Sequence, residues 1–258
     1  MGNDILLKAE KVTMQFGGLK AVNEVDMEIK RGEIHALIGP NGAGKTTFFN
    51  VISGIYMPTS GQVFFDGEDI TRLKPHQVTE RGIARTFQNI QLFDSMSARE
   101  NVMIGHHTRT KSTVLGTIFH TKKMKEEEWK CYHKAEEMLD FVGLGNEKET
   151  LASSLPYGKK RILEIARALA SEPKIIMLDE PCAGMNASET KELTKTIYKI
   201  RDAGITVLLV EHDMKFVMGI SDMITVLDHG GKICEGVPDM VRQDSKVIEA
   251  YLGKEEEE

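Results

Sequence analysis

The chain has 258 residues, 41% of them hydrophobic, and carries a formal net charge of −6. This length allows one α/β domain, or a domain with a subdomain, and no run approaches the ~18 apolar residues of a membrane-spanning helix. Much of the negative charge lies in an acidic tail at 254–258. The sequence contains no basic domain, so its charge does not predict a nucleic-acid partner.

The cysteines and the N-terminus both predict a cytosolic chain. Cys131, Cys182 and Cys234 are far apart and form no C-x-x-C pair, which is typical of reduced thiols. The N-terminal residues lack a basic region followed by an apolar one, so the sequence predicts no export signal.

Strands are predicted over 5–16 and 22–30, ahead of the first conspicuous motif. Residues 25–30 alternate between apolar and polar, as in an antiparallel strand with one solvated face. Phe16 lies between the two strands. It is either a core aromatic or a surface on which adenine stacks, and the sequence leaves both alternatives open.

A phosphate-binding loop follows the apolar run 34–38. The sequence fits G-x-x-x-x-G-K-[ST] with one more threonine after it: Gly39, Pro40, Asn41, Gly42, Ala43, Gly44, Lys45, Thr46 and Thr47. Small residues let consecutive backbone N–H groups surround a phosphate. Lys45 supplies positive charge to the outer phosphates, and the Thr46 hydroxyl can bind Mg²⁺. A helix from about Lys45, ended by Gly54, adds the partial positive charge of its N-terminus; the alternative is a structural turn.

The remaining elements are predicted from periodicity and from helix and strand breakers. In chain order they are a turn at 58–61, a strand at 62–67, a mixed stretch at 89–104, helices at 130–144 and 155–169, a strand at 175–180, a helix at 186–204, a strand at 205–210 and a terminal hairpin at 223–235. His106, His107 and His120 could be imagined as metal ligands, but no cysteine or carboxylate motif accompanies them. We therefore expect a solvated or partner-facing surface around these histidines.

Two carboxylates end the apolar strand at 175–180. Such a pair is weak evidence alone, because acidic residues often end strands. When it follows a P-loop by about 130 residues, however, it predicts a nucleotide site. Asp179 would belong to the Mg²⁺ shell, and Glu180 would polarise the water that attacks the γ-phosphate.

The order of these motifs resembles that of the ATP-binding subunits of ABC transporters, over essentially the whole chain. The motifs concerned are the P-loop, Gln88, the run LPYGKKR at 155–161, Asp179-Glu180 and His212. The resemblance implies hydrolysis of ATP coupled to transport, with ATP and Mg²⁺ as cofactors. It also implies one domain over 1–258, with a P-loop α/β core of ABC ATPase type, an N-terminal antiparallel β-subdomain and a helical subdomain at about 90–165.

The same resemblance gives roles to three further residues. Phe16 matches the aromatic that stacks on adenine. Gln88 matches the Q-loop glutamine, which senses the metal and the γ-phosphate and touches the membrane partner. His212 matches the switch histidine that holds the γ-phosphate, whereas alone it would be interpreted as a structural histidine at a strand end.

Residues 155–159, which include Tyr157 and Gly158, match the signature motif, and 183–186 match the D-loop. In subunits of this kind the P-loop of one chain faces the signature of another, so a dimer shares each ATP. The resemblance therefore implies a second ATP-binding subunit, identical or homologous. It also implies integral membrane permeases and, indirectly, a solute-binding protein, with this chain at the inner face of the cell membrane.

Three features resemble the branched-chain amino-acid importers in particular: the Tyr-Gly of the signature, the run at 82–93 and the long insert after Gly105. Importers of urea or amides share these features and remain an alternative. A soluble ABC ATPase of iron–sulfur cluster assembly is a second alternative. A small-molecule P-loop kinase would leave Gln88, the signature and His212 unexplained.

The signature and the D-loop also depart from the usual residues of such subunits. Pro156, Lys159 and Asn186 stand where Ser, Gln and Asp are usual. Because Pro156 has no hydroxyl to donate to a γ-phosphate, these departures predict weaker contacts across the dimer.

Overall fold

The computed structural model describes residues 4–106 and 122–252. Near the N-terminus, four strands form an antiparallel sheet: β1 (Ile5–Phe16), β2 (Leu19–Lys30), β4 (Ser60–Phe65) and β5 (Glu68–Asp69). Their order is β2-β1-β4-β5. Buried and exposed residues alternate along the second half of β2, as predicted for a strand with one solvated face.

A second sheet forms the centre of the molecule. Its strands are β3 (Ile34–Ile38), β6 (Ile83–Arg85), β7 (Ile175–Asp179), β8 (Thr206–Val210), β9 (Met223–Asp228) and β10 (Gly231–Gly236). The order is β10-β9-β3-β8-β7-β6, and only the β10–β9 pair is antiparallel. Because β3, β8 and β7 are parallel neighbours, the segments that follow them emerge at one edge of the sheet, where ligands of such sheets bind.

The described helices are α1 (Lys45–Ile52), α2 (Pro75–Glu80), α3 (Ala98–His106), α4 (Lys122–Phe141), α5 (Tyr157–Leu169), α6 (Ala187–Asp202), α7 (Met214–Ile220), α8 (Pro238–Gln243) and α9 (Ser245–Leu252). Gly54 lies just past the end of α1 with φ +73°, which confirms the predicted helix end. Within the described ranges, no helix has the length and apolar content that crossing a bilayer needs.

The central sheet separates two hydrophobic cores. Along β3, Ile34, Ala36 and Ile38 face one core and Leu37 faces the other. The first core contains the inner faces of α3, α4, α5 and α6. The second fills the space between the central sheet, α1 and the N-terminal sheet. Burial on both faces explains why most residues of the central strands are apolar instead of alternating with polar ones.

The predicted α/β fold class is confirmed, but several element predictions were wrong. β2 begins at Leu19 rather than residue 22, because the tight turn before it lets Phe16 pair with Leu19. The stretch at 89–104 contains the start of α3, and two helices, α8 and α9, follow the hairpin predicted to be terminal. These helices are short, so their periodicity extends over too few residues to stand out. The tail at 254–258 lies outside the described residues.

Candidate nucleotide-binding site

The predicted phosphate-binding loop connects β3 to α1 and is fixed by its neighbours. A Cβ at Gly39 would lie 2.1 Å from the Leu227 carbonyl oxygen, and one at Gly44 would lie 2.2 Å from that of Ala21. Both residues have positive φ values. At Gly42, in contrast, a Cβ would meet no atom within 4 Å. The loop is therefore packed against the protein on one side and open on the other.

The side chain of Lys45 folds back across this loop. Its Nζ donates to the carbonyl oxygens of Gly39 at 2.7 Å and Pro40 at 2.9 Å. Although the residue is buried, its charge is satisfied by these backbone acceptors at the first turn of α1. An anionic ligand in the loop would offer the ammonium a stronger, charged partner.

A cavity of about 490 Å³ opens beside the loop, within the size range of small-molecule sites. Its lining brings together seven loop residues and the predicted base: Asn41, Gly42, Ala43, Gly44, Lys45, Thr46, Thr47 and Glu180. The sequence interpretation missed the remaining lining residues, Leu19, Lys20, Ala21, His229 and Gly230. The start of β2 and the turn of the β9–β10 hairpin carry them, and only pairing between distant strands brings them here.

Phe16 ends β1, immediately before the β1–β2 turn. Its ring is 44% exposed and meets Tyr56 edge-on, with ring centroids 5.4 Å apart. The ring belongs to neither hydrophobic core, so the core alternative was wrong. Stacking of adenine on Phe16 stays a prediction.

Asp179 ends β7 and forms a buried ion pair with Arg85. Arg85 Nη2 donates to Asp179 Oδ2 at 2.7 Å, while Nη1 donates to Asn50 Oδ1 at 2.7 Å and Ser53 Oγ at 2.9 Å. The guanidinium also lies over the Phe49 ring, 5.3 Å from its centroid. Arg85 thus ties the carboxylate to α1, and sequence reasoning missed this role although the residue lies in the run Gly82–Phe93.

The three predicted catalytic side chains lie near one another, and Gln88 is hydrogen-bonded to Glu180. Gln88 Nε2 donates to Glu180 Oε2 at 2.9 Å, and His212 Nδ1 lies 4.0 Å from the same oxygen. The His212 side chain is 63% exposed. Glu180 has a left-handed backbone, φ +45°, and its N–H donates to the Val210 carbonyl oxygen. A glutamate held in this strained conformation is typical of a functional position.

Glu211 is a buried carboxylate that the sequence interpretation did not single out. Its two oxygens accept the N–H groups of Cys182, at 2.7 Å, and His212, at 3.2 Å. It therefore joins the segment after β7 to the segment after β8. Burial, with Glu211 beside the thiol, raises the pKa of Cys182 far above its ordinary value, so this cysteine stays a neutral thiol.

The predicted metal ligands suit Mg²⁺ in their chemistry. Thr46, Gln88 and Asp179 offer hydroxyl, amide and carboxylate oxygens, the donors that Mg²⁺ prefers. His106 instead makes a hydrogen bond between its Nδ1 and the Ala170 carbonyl oxygen, at 2.9 Å. Across residues 4–106 and 122–252, no cluster of three or more His, Cys, Asp or Glu side chains could hold a metal. His107 and His120 lie outside these ranges.

The predicted signature residues lie at the start of α5 and do not line the cavity of their own chain. Pro156 is the N-cap residue. The Gly158 N–H donates to Glu189 Oε1 at 3.2 Å, and Glu189 Oε2 accepts the Asn186 N–H at 3.0 Å. A Cβ at Gly184, in the predicted D-loop, would lie 3.2 Å from Tyr157 Cε1. The signature and the D-loop are therefore in direct contact.

The chain is similar in sequence to known proteins. A family model described as "ABC transporter" matches residues 22–183, and one described as "Branched-chain amino acid ATP-binding cassette transporter" matches residues 232–257. The "High-affinity branched-chain amino acid transport ATP-binding protein BraF" of Pseudomonas aeruginosa is 43% identical over 250 residues, covering 96% of this chain and 98% of that protein. LivG of Escherichia coli K12, described in the same words, is 42% identical with the same coverage.

The fold is also similar to that of a solved structure. The ADP conformation of MJ1267, "an ATP-binding cassette of an ABC transporter", superposes with a TM-score of 0.84 at 32% sequence identity. The match covers 97% of this chain and all of that one.

Proposed function

The chain belongs to the ABC transporter ATP-binding family, whose members hydrolyse ATP, and we propose that it powers the import of branched-chain amino acids. The observation that carries the chemistry is the proximity of Gln88 and His212 to the Glu180 carboxylate, beside the P-loop cavity. The observation that supports the solute class is similarity to BraF and LivG along nearly the whole length of each protein.

ATP binds with its phosphates in the loop between β3 and α1. Lys45 exchanges its two carbonyl acceptors for phosphate oxygens, and the N-terminus of α1 adds its partial positive charge. Thr46, Gln88 and Asp179 would hold Mg²⁺, which neutralises charge on the outer phosphates when bound. Arg85 keeps the Asp179 carboxylate in place for this purpose.

Glu180 accepts a proton from the water that attacks the γ-phosphate. Its Oε2 already accepts a hydrogen bond from Gln88, so the amide restrains the base before hydrolysis and must share or release that oxygen during it. His212 lies within 4.0 Å and is exposed enough to turn toward the γ-phosphate, where it stabilises charge in the transition state.

A second ATP-binding subunit completes the site. Tyr157 and Gly158 do not line the cavity of their own chain, which fits a signature that contacts the nucleotide of another chain. Integral membrane permeases receive the resulting motion, and a solute-binding protein delivers the amino acid. The subunit therefore works at the inner face of the cell membrane.

Uptake in cells tests this proposal. Cells in which the gene is replaced by the wild-type or the Glu180→Gln sequence are given radiolabelled leucine, isoleucine, valine, urea or acetamide. We expect the variant to lose uptake of the three amino acids and to retain uptake of urea and acetamide. Loss of urea or acetamide uptake alone would favour the related importers. Normal uptake with loss of iron–sulfur enzyme activities would favour a cluster-assembly ATPase.

Purification adds a direct test of the partners. A tagged chain extracted in mild detergent should bring polytopic membrane proteins with it. Recovery of the chain from the soluble fraction alone, in cells that transport leucine, would contradict the membrane assignment.

A further inference from the structure

A fully buried ion pair lies on the inner face of α5. Arg161 is 0% exposed and Glu164 is 1% exposed, and Arg161 Nη1 lies 2.9 Å from Glu164 Oε2. Taking two charges out of water is unfavourable, and their mutual attraction offsets this only when further hydrogen bonds satisfy them. The location of those further hydrogen bonds therefore indicates what the pair holds.

The pair holds the loop that carries Gln88. Arg161 Nη1 donates to the Phe87 carbonyl oxygen and Nη2 to that of Gln88, both at 2.7 Å. Glu164 Oε1 accepts the N–H groups of Phe87 and Gln91, each at 3.4 Å. At the far end of the loop, the Arg167 guanidinium donates to the Gln91 carbonyl oxygen.

These three charged residues form a clamp on residues 87–91. Arg161, Glu164 and Arg167 are spaced by three residues, so each is next to the following one on the surface of α5. They bind the loop through its backbone N–H and C=O groups, which any loop sequence would offer. The clamp therefore fixes the path of the loop, whereas the Gln88 side chain is left to act at Glu180.

One residue earlier, the chain is attached to a different part of the molecule. The Thr86 N–H donates to the Met177 carbonyl oxygen at 2.9 Å, which continues the pairing of β6 with β7. Thr86 thus belongs to the central sheet, while the carbonyl of Phe87 is held by α5. The chain is therefore bonded to the central sheet at Thr86 and to α5 at Phe87.

We propose that Arg161 and Glu164 are positioning residues that make loop 87–91 move with α5, so that Gln88 reports the position of the signature helix to Glu180. A displacement of α5 relative to the sheet then flexes the chain between Thr86 and Phe87 and shifts the Gln88 amide on the Glu180 carboxylate. The inference rests on the proposed roles of Gln88 and Glu180 in hydrolysis. It attributes the coupling between the signature helix and Glu180 to the buried Arg161–Glu164 pair and its hydrogen bonds to loop 87–91.

The test replaces both charges at once, so that neither remains buried alone. Arg161→Met/Glu164→Leu keeps apolar volume on α5 and removes the side-chain bonds from this pair to the loop. Hydrogen exchange followed by mass spectrometry should show faster exchange at 87–91 and unchanged exchange at 175–179. Arg99→Met is the matched control, because Arg99 is also a largely buried arginine, but it pairs with Glu149 and lies over the Tyr132 ring instead of bonding to the loop. Unchanged exchange at 87–91 in the folded double variant would overturn the proposal.

Kinetics test the connection to Gln88. The double variant should lower kcat by about 10- to 100-fold, the effect of misplacing a catalytic group, while ATP affinity stays near the wild-type value. In a Gln88→Ala background the same pair of substitutions should cause no further loss, because the group that the clamp positions is already absent. Losses that multiply in the combined variant would contradict positioning through Gln88.

The two readouts separate failure of this inference from failure of the proposed function. If Gln88→Ala alone has the wild-type kcat, the proposed role of Gln88 is wrong. The exchange experiment then still decides whether α5 holds the loop. Thermal unfolding of each variant establishes that the compared proteins are folded.

Discussion

The P-loop and the signature share the same local structure but differ in their surroundings. Each places backbone N–H groups at the N-terminus of a helix, where an anion is stabilised. At the P-loop the site faces a cavity, and Gly42 has open space beside it. At the signature, Gly158 is buried and its N–H already binds the Glu189 carboxylate of the same chain. One anion site is open, and the other is occupied by an acidic side chain.

This difference indicates that the single chain is ready to bind ATP but is not yet ready to bind the phosphate of a second subunit. To bind ATP, Lys45 needs only to exchange carbonyl acceptors for phosphate oxygens. To bind the phosphate of a second subunit, Gly158 must first release Glu189. We therefore expect the isolated chain to bind ATP readily and to dimerise on ATP only weakly.

The largest expected effect is at the open site. Lys45→Ala removes the ammonium that faces the outer phosphates and should abolish ATP binding and hydrolysis. Binding of a fluorescent ATP analogue and phosphate release measure the two effects. Lys195→Ala, on the exposed side of α6, is the control and should behave as wild type. Near-normal turnover by Lys45→Ala would refute the P-loop assignment.

The next effect separates binding from chemistry within the same site. Glu180→Gln should leave ATP affinity intact and slow hydrolysis by about 10²–10⁴, because the proton acceptor is lost. Slow hydrolysis should also trap an ATP-bound dimer, which gel filtration detects. Glu192→Gln, which changes an exposed carboxylate on α6, controls for the loss of charge. Hydrolysis at the wild-type rate would mean that Glu180 is not the base.

A third effect concerns Arg85, which supports the proposed metal ligand Asp179. Arg85→Met keeps an unbranched apolar side chain but removes the guanidinium and its hydrogen bonds to Asp179 and Asn50. Loss of such a support typically costs 10- to 100-fold in metal affinity. We expect a corresponding rise in the Mg²⁺ concentration for half-maximal hydrolysis, and weaker Mn²⁺ binding by electron paramagnetic resonance. Arg81→Met, which breaks a surface pair with Glu68, should change neither measurement.

Sequence reasoning predicted the local structure correctly where a short stretch contains the whole signal. The turn of the P-loop, the strand that leads to Asp179 and the helix that begins after Asn186 each depend on residues within one strand end or one helix turn. The predicted class of α/β fold followed from the same local patterns. Physical rules for loops and helix starts act over a few residues, so one sequence is enough to apply them.

The parts that were missed depend on contacts between distant segments. Arg85 and Asp179 are 94 residues apart, and Gly158 and Glu189 are 31 apart. Neither pair has a fixed spacing that a motif could record. The clamp on loop 87–91 was missed for the same reason, although Arg161 and Glu164 lie in a helix that was predicted. Only the fold shows which buried charge faces which backbone group.

The smallest expected effect tests the occupied site. If Glu189 competes with a phosphate for the Gly158 N–H, removing its charge should favour the ATP-bound dimer. Glu189→Gln keeps the size of the side chain and one acceptor oxygen, which can still accept the Asn186 N–H. The Asn186 side chain still accepts the N–H groups of residues 188 and 189, so the start of α6 is preserved. A hydrogen bond to a charged group contributes about 1.5–3 kcal/mol, more than a neutral one. In the Glu180→Gln background we expect dimerisation about tenfold tighter, measured by sedimentation with ATP and Mg²⁺.

Glu192→Gln, three residues further along α6, should have no effect. Equal dimer affinity with and without the Glu189 charge would show that Glu189 caps α6 without competing for the signature. The two glycine-containing sites would then differ in sequence but not in readiness to bind a phosphate.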